Sequence, residues 1–234
     1  LNVLLNNGNL EIKPFNFSSG GGKADVQFAL RSQEKPAALT TSLNIDQLEI
    51  GPMLDKLGYE RSVQGNLDAA FNLDTTGDSI AAWMAALNGN TRIVMGNGKA
   101  ASQYLDLLAK YLGSGILQML NPLQEKREYT PVNCFVNTIK IEDGLADVKI
   151  LLDTDRTSIF GAGDVNLKTE RLDLGIKPTP KKGALPANIS FSFDELSQPF
   201  RLGGTLAQPA LVTDPGRTAF VIGKMAGALA LGPF

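Results

Sequence analysis

Apolar and polar residues alternate with a period of two over much of this sequence, and this pattern constrains the fold most strongly. In residues 24–31 the even positions are alanine, valine, phenylalanine and leucine. The polar side chains of Asp25, Gln27 and Arg31 stand at odd positions. The same alternation recurs at 39–45, 67–73, 146–152, 159–167, 172–176 and 189–193. Successive side chains of a strand point to opposite faces, so each run is predicted to be a strand with one apolar and one polar face.

The links between these runs are short and have the composition of turns. Asn7-Gly8-Asn9, Glu142–Gly144 and Lys168–Arg171 each separate two runs. Links of this length join antiparallel strands, whereas parallel strands need a crossover of a dozen or more residues. The sequence therefore predicts a mainly β fold with accessory helices, in which the strands form an antiparallel sheet.

Four segments have features of helices. We expect a short helix over Asp46–Leu57 that is broken near Gly51-Pro52, and a second helix that Asp78 caps and that runs to Leu87. Apolar residues at helical spacing predict a third helix over Ala100–Leu120, packed on the sheet, and a fourth over Thr218–Leu231.

The chain is interpreted as a single domain over residues 1–234. The polar stretch Gln124–Thr130 is the best candidate for a boundary, and a subdivision into 1–123 and 124–234 is the alternative. Because the chain opens on Leu1 inside a strand-like pattern, we expect it to be a piece of a longer protein.

Composition argues against several classes of function. The chain has no histidine, which removes the commonest general base and metal ligand. It has 22 basic and 24 acidic residues, so it lacks the basic surface of a nucleic-acid-binding protein. We therefore expect no catalytic residue, no metal, no cofactor and no nucleic acid.

Four short motifs have a chemical and a structural interpretation. Gly20–Lys23 lacks the serine or threonine of a phosphate-binding loop, and Gly161–Gly163 lacks the third glycine of a dinucleotide fingerprint, so both are interpreted as turns or bulges. Asp153-Thr154-Asp155 could contribute to a divalent metal site, but a turn after a strand is favoured. The lysines at 177, 181 and 182 are interpreted as a solvated loop, with binding to anionic lipid head groups as the alternative.

Residues 77–210 resemble a known family over several consecutive motifs. They contain GDSIAAWMAALNG, VNCFVNTIKIEDG, ILLDT, GAGDVNLKTERLDL, KPTPK and GTLAQPA, in that order. This arrangement resembles the C-terminal region of the AsmA family of Gram-negative envelope proteins, and the similarity covers most of the chain from Leu10 onward.

The resemblance implies a periplasmic protein that an N-terminal helix, absent from this chain, anchors to the inner membrane. It implies an elongated, curved antiparallel sheet that forms an apolar groove of the repeating β-groove type. The family is linked to outer-membrane biogenesis and to phospholipid transport between the inner and outer membranes. Phospholipid acyl chains, the membranes at the two ends of the full-length protein and other envelope proteins are the partners implied. The alternative is a structural or assembly-factor module for outer-membrane proteins, whose apolar face is sealed by its own helices.

Two sets of residues follow as candidates for the functional surface. The first set shares parity within its strands and is expected to face the lipid: Val26, Phe28, Leu30, Leu43, Phe71, Leu73, Val148, Ile150, Val165, Leu174 and Phe191. The second set belongs to the apolar C-terminal segment, and its expected role is contact with a membrane or a partner, with a helix that closes the core as the alternative: Phe220, Val221, Ile222, Met225 and Leu229.

Overall fold

A computed structural model describes residues 3–19, 21–103, 128–181 and 200–212. These residues form twelve strands and two helices. The strands are β1 (Val3–Asn6), β2 (Asn9–Ser19), β3 (Gly22–Arg31), β4 (Ala38–Glu49), β5 (Val63–Thr76), β6 (Asn88–Ala101), β7 (Tyr129–Glu142), β8 (Leu145–Thr154), β9 (Thr157–Asn166), β10 (Arg171–Pro180), β11 (Phe200–Gly204) and β12 (Pro209–Val212). The helices are α1 (Ile50–Lys56) and α2 (Ile80–Ala85).

All twelve strands belong to one sheet, in which each strand pairs with the next along the chain. Every pairing is antiparallel. The sheet is open and curved and forms an elongated β-groove, which confirms the predicted fold class. At a spacing of about 4.8 Å between neighbouring strands, the two edge strands lie roughly 50 Å apart along the sheet. The strands on either side of the proposed boundary, β6 and β7, pair from Gly89↔Ile141 to Ala101↔Tyr129.

The tight turns explain how such short links can reverse the chain. Asn7 and Gly8 have φ values of 47° and 81°, and Asp143 and Gly144 have φ values of 47° and 72°. Two successive residues with positive φ make the type I′ turn, whose twist matches that of the flanking strands. Both predicted hairpins are therefore confirmed.

A bulge in β4 keeps the apolar side chains on one face where the pairing with β5 is interrupted. The register shifts between Ile45 and Leu48, so that β4 contains one extra residue. Gln47 adopts a φ of 49°, and the carboxylate of Asp68 accepts hydrogen bonds from its backbone nitrogen at 2.8 Å and from its side-chain Nε2 at 2.6 Å. Leu48 consequently points to the same face as Ile45 and is buried.

The helix predictions were partly wrong at their boundaries. Asp46–Glu49 continues β4, and α1 begins only at Ile50. The cap of α2 is Ser79, whose hydroxyl accepts a hydrogen bond from the backbone nitrogen of Ala82 at 3.1 Å. Asp78 instead accepts a hydrogen bond from the backbone nitrogen of Ala37 at 3.2 Å.

The third predicted helix began too early, because Ala100 and Ala101 are the last residues of β6. The rest of that prediction, from 104 onward, and the predicted helix over 218–231 lie outside the described residues.

Gly163 provides a test of how closely β9 and β10 approach. Its φ is 151°, and a side chain at this position would collide with the carbonyl oxygen of Asp173. We expect Gly163→Ala to lower the free energy of unfolding by about 1–3 kcal/mol, measured by urea denaturation.

Gly161→Ala is the matched control, since Gly161 lies on the same strand and face and an added Cβ would sit 3.5 Å from the Cβ of Ile150, an ordinary contact. Equal losses of stability in the two variants would contradict this account of Gly163.

Candidate functional site: the apolar face of the sheet

Strand register aligns apolar residues into rows that cross the sheet. Residues paired directly across an antiparallel ladder point to the same face, and residues two apart on a strand do so as well. The first row is Val26, Leu43, Phe71, Thr91, Ile139, Val148, Gly163, Leu174 and Leu202. The second row is Phe28, Thr41, Leu73, Gly89, Ile141, Ala146, Val165 and Leu172.

Two further rows continue the pattern on the same face. The third is Ala24, Ile45, Ala69, Ile93, Asn137, Ile150, Gly161 and Ile176. The fourth is Leu48, Leu67, Met95, Phe135, Leu152, Ile159 and Pro178. The side of the sheet that carries these four rows is called the apolar face below.

Ten of the eleven residues expected to face lipid lie on this one face. Leu30, which pairs with Leu39, extends it beyond the second row on β3; the other nine belong to the first three rows. Phe191, the eleventh, lies outside the described residues, as do Phe220, Val221, Ile222, Met225 and Leu229. Contact with lipid stays a prediction for all of them.

The opposite face of the sheet is mostly polar. A row parallel to the first contains Gln27, Ser42, Asn72, Asn90, Lys140 and Asp147. Asn72 is exposed, and its Oδ1 accepts a hydrogen bond from the hydroxyl of Ser42 at 3.1 Å. The sheet is therefore two-sided over most of its length.

Burial varies along the apolar face. Large side chains on β3–β5 are half-buried, among them Phe28, Leu43 and Phe71. On β7–β9 a cluster of Ile141, Ala146, Val148 and Val165 is buried. Part of the face is thus closed within the described residues, and part has side chains that remain half accessible.

The connection from α2 to β6 covers the closed part at one end of the strands. Leu87 packs against the buried cluster, and its carbonyl oxygen accepts a hydrogen bond from the backbone nitrogen of Gly144 at 2.9 Å. Trp83 is held in place because its Nε1 donates to the carbonyl oxygen of Gly77 at 2.6 Å. Among the described residues, no helix has both the length and the apolar character needed to cross a membrane.

Strand β6 was missed by the sequence reasoning, although it contributes Thr91, Ile93 and Met95 to the apolar face. Its alternation is imperfect, because Val94 stands on the polar side between Ile93 and Met95. On that opposite face Val94 pairs with Val136, and the row continues to Leu151 and Phe160. This local apolar patch on the polar face therefore interrupts the period of two in the sequence of β6.

The carboxylate of Asp153 forms hydrogen bonds with neighbouring side chains of the protein. Its carboxylate accepts hydrogen bonds from Lys181 Nζ and Asn133 Nδ2, both at 2.8 Å, and from the hydroxyl of Ser158. Lys181 also donates to the carbonyl oxygen of Thr154 at 2.7 Å. The described residues contain no group of three or more metal-binding side chains placed to hold an ion. The interpretation of Lys181 as a solvated loop residue was wrong, since it forms a partly buried ion pair.

These contacts set the protonation of the cluster. Burial by itself would raise the pKa of Asp153, but the hydrogen bonds from Lys181, Ser158 and Asn133 outweigh it, so the pKa lies below its usual value. Burial raises the pKa of the Cys134 thiol, and the negative charge of Asp153 adds to that effect. A thiol with a raised pKa is a poor nucleophile, which agrees with a packing role for Cys134.

The lowered pKa of Asp153 predicts a pH dependence of stability. Because the folded state holds this carboxylate charged, its contribution is present above the unfolded-state pKa, about 3.9, and is lost as the pH falls through the lower folded-state value. We expect Asp153→Asn to lower the free energy of unfolding at pH 7 by about 1–3 kcal/mol and to reduce the loss of stability below about pH 4.

Urea denaturation between pH 7 and pH 3 measures both effects, and Asp74→Asn, which changes an exposed carboxylate on β5, is the control. An Asp153→Asn protein whose stability falls with acid as steeply as that of the wild type would contradict the assignment.

Comparison with known proteins places the chain in a family. The model of the AsmA family matches residues 1–151. The AsmA family protein YhjG of Escherichia coli strain K12 is 24% identical over 229 residues, which cover 97% of this chain and 32% of that protein. The chain thus spans about a third of the length of this relative, and no solved structure matches it. Since the family model covers more than half of the sequence, the chain belongs to the AsmA family.

Proposed function

We propose that this chain is a non-enzymatic segment of a periplasmic envelope protein and that its apolar face provides a groove for phospholipid transport between the inner and outer membranes. In this role it contributes to outer-membrane biogenesis. The acyl chains lie against the apolar face, and the head groups remain toward water. The intact protein contacts the membranes at its two ends and is anchored in the inner membrane by an N-terminal helix.

The observation that carries this proposal is the continuity of the apolar face. The first row alone crosses nine strands, from Val26 on β3 to Leu202 on β11. A sheet with one apolar face must cover that face or offer it to another apolar surface. The half-buried side chains on β3–β5 leave area that an acyl chain can cover.

Membership of the AsmA family supports the assignment of this chain to the cell envelope. The AsmA family supports a role in the cell envelope, and the E. coli relative supports a Gram-negative envelope. Transport of lipid and a periplasmic location are parts of the proposal.

A structural or assembly-factor role for outer-membrane proteins is the second candidate. It is favoured by the buried cluster of Ile141, Ala146, Val148 and Val165, against which Leu87 packs. If the whole apolar face were sealed in this way, it would be an ordinary core. Phospholipid that copurifies from cells, measured by mass spectrometry, supports the groove, and its absence supports the scaffold.

Substitutions on the two faces of β5 test which side binds lipid. Phe71 and Leu73 belong to the apolar face, and Asn72 between them belongs to the polar face. We expect Phe71→Asp and Leu73→Asp to reduce copurified phospholipid by about tenfold or more, because an acyl chain would have to lie against a carboxylate.

Asn72→Asp is the control and should leave the bound lipid unchanged, since a carboxylate oxygen can still accept the hydrogen bond from Ser42. Circular dichroism of each variant checks that the sheet is retained. Equal loss of lipid in all three folded variants would show that the apolar face is not the binding surface.

A further inference from the structure

Two glycines of β9 lie on the apolar face, and backbone geometry requires only one of them. Gly161 belongs to the third row and Gly163 to the first. Gly163 has a φ of 151°, and a Cβ there would collide with the carbonyl oxygen of Asp173. Gly161 has no positive φ, and the nearest described atoms to a Cβ there would be those of Ile150 at 3.5 Å and Gly175 at 3.8 Å. The backbone therefore permits a side chain at position 161.

Glycine at position 161 makes the strand itself less stable. A glycine inside a strand loses more conformational freedom on folding than other residues do, and it adds no side chain to the packing. Where the backbone does not require it, such a glycine marks a place that another group approaches closely. Gly161 lies between Ile150 on β8 and Ile176 on β10. It therefore leaves a space between two large apolar side chains.

The two glycines form the floor of a furrow that runs along β9, called the β9 furrow below. Large apolar residues of β8 and β10 form its walls: Val148, Ile150, Leu174 and Ile176. At a spacing of about 4.8 Å between neighbouring strands, the walls rise from strands about 10 Å apart. Because β9 pairs with β8 on one side and β10 on the other, its backbone polar groups belong to the two ladders. Walls and floor are therefore apolar.

The β9 furrow is closed at one end and accessible at the other. Beside Gly163, Val148 and Val165 belong to the buried cluster. Gly161 is half-buried, as is Ile159, which follows it on the apolar face toward the other end of β9. Apolar surface in contact with water gains free energy of burial when another apolar group covers it. The accessible end of the furrow can therefore receive an apolar ligand.

We propose that the β9 furrow is a subsite for one acyl chain of a phospholipid, which lies over Gly161 between Ile150 and Ile176. Carbon atoms in van der Waals contact are about 4 Å apart, so a single methylene chain fits between walls that two strand spacings separate. The chain brings no polar group, and the furrow offers none. This inference rests on the proposed function and extends the surface that contacts lipid from β3–β5 to β8–β10.

A side chain that fills the furrow tests the subsite. We expect Gly161→Leu to lower the phospholipid that copurifies with the full chain by about tenfold, which corresponds to the loss of about two buried methylene groups. The lipid-free protein should keep its stability or become more stable, because leucine adds apolar contact and restricts the unfolded chain. Mass spectrometry quantifies the lipid, and urea denaturation after removal of lipid with detergent measures the stability. Gly161→Ala, which adds one methyl group, should give a smaller loss of lipid and also keep its stability.

Gly96→Leu is the matched control, because Gly96 on β6 is exposed, has no positive φ and has no described atom within 4 Å of an added Cβ; it should keep the lipid. Wild-type protein without phospholipid would overturn the groove itself. Wild-type protein with phospholipid, together with an equal amount in Gly161→Leu, would overturn the subsite and leave the groove intact. Lipid-free Gly161→Leu and Gly161→Ala that are both less stable than the wild type would show that the protein's own side chains fill the furrow, and would overturn the inference. A loss of lipid in Gly96→Leu as large as that in Gly161→Leu would overturn it as well.

Discussion

Antiparallel pairing between neighbours in sequence determines the sidedness of this molecule. Each ladder sets residues directly opposite one another, so the face of one strand decides the face of the next. Over nine strands the register between Val26 and Leu202 brings apolar residues into a single row. A slip of one residue at any ladder would turn the apolar side chains of every later strand to the polar face. The apolar face depends on this register more than on any individual contact.

Irregularities in the sheet preserve the register instead of disturbing it. The bulge at Gln47 adds a residue to β4, and Asp68 holds its backbone, so Leu48 returns to the apolar face. Gly163 allows β9 and β10 to approach where a side chain would collide with Asp173. Bulges also increase the local bend of a strand, which fits a curved sheet. The same residues therefore maintain the apolar face and shape the groove.

Different interactions hold the two ends of the strands. At one end the α2 connection brings Leu87 onto the buried cluster. At the other end Lys181 ties the end of β10 to Asp153 on β8 through a partly buried ion pair. Between these ends the large apolar side chains on β3–β5, among them Phe28, Leu43 and Phe71, are half-buried. Coverage of the apolar face therefore differs along the sheet: it is partial on β3–β5 and complete at the cluster on β7–β9.

The sequence by itself predicted most of the strands, their antiparallel pairing and the shared face of ten candidate residues, because a period of two is a local property and short turns leave one way to pair. Asn7-Gly8 and Asp143-Gly144 specified their hairpins for the same reason: both turns need positive φ, which these residues tolerate. Strand β6 was not recognised, since Val94 belongs to an apolar patch on the opposite face that only neighbouring strands reveal. The bulge at Gln47 and the partners of Asp153 were likewise decided by the tertiary structure. Each of these depends on which atoms of distant residues meet across the sheet, and that information is absent from the spacing of residues along the chain.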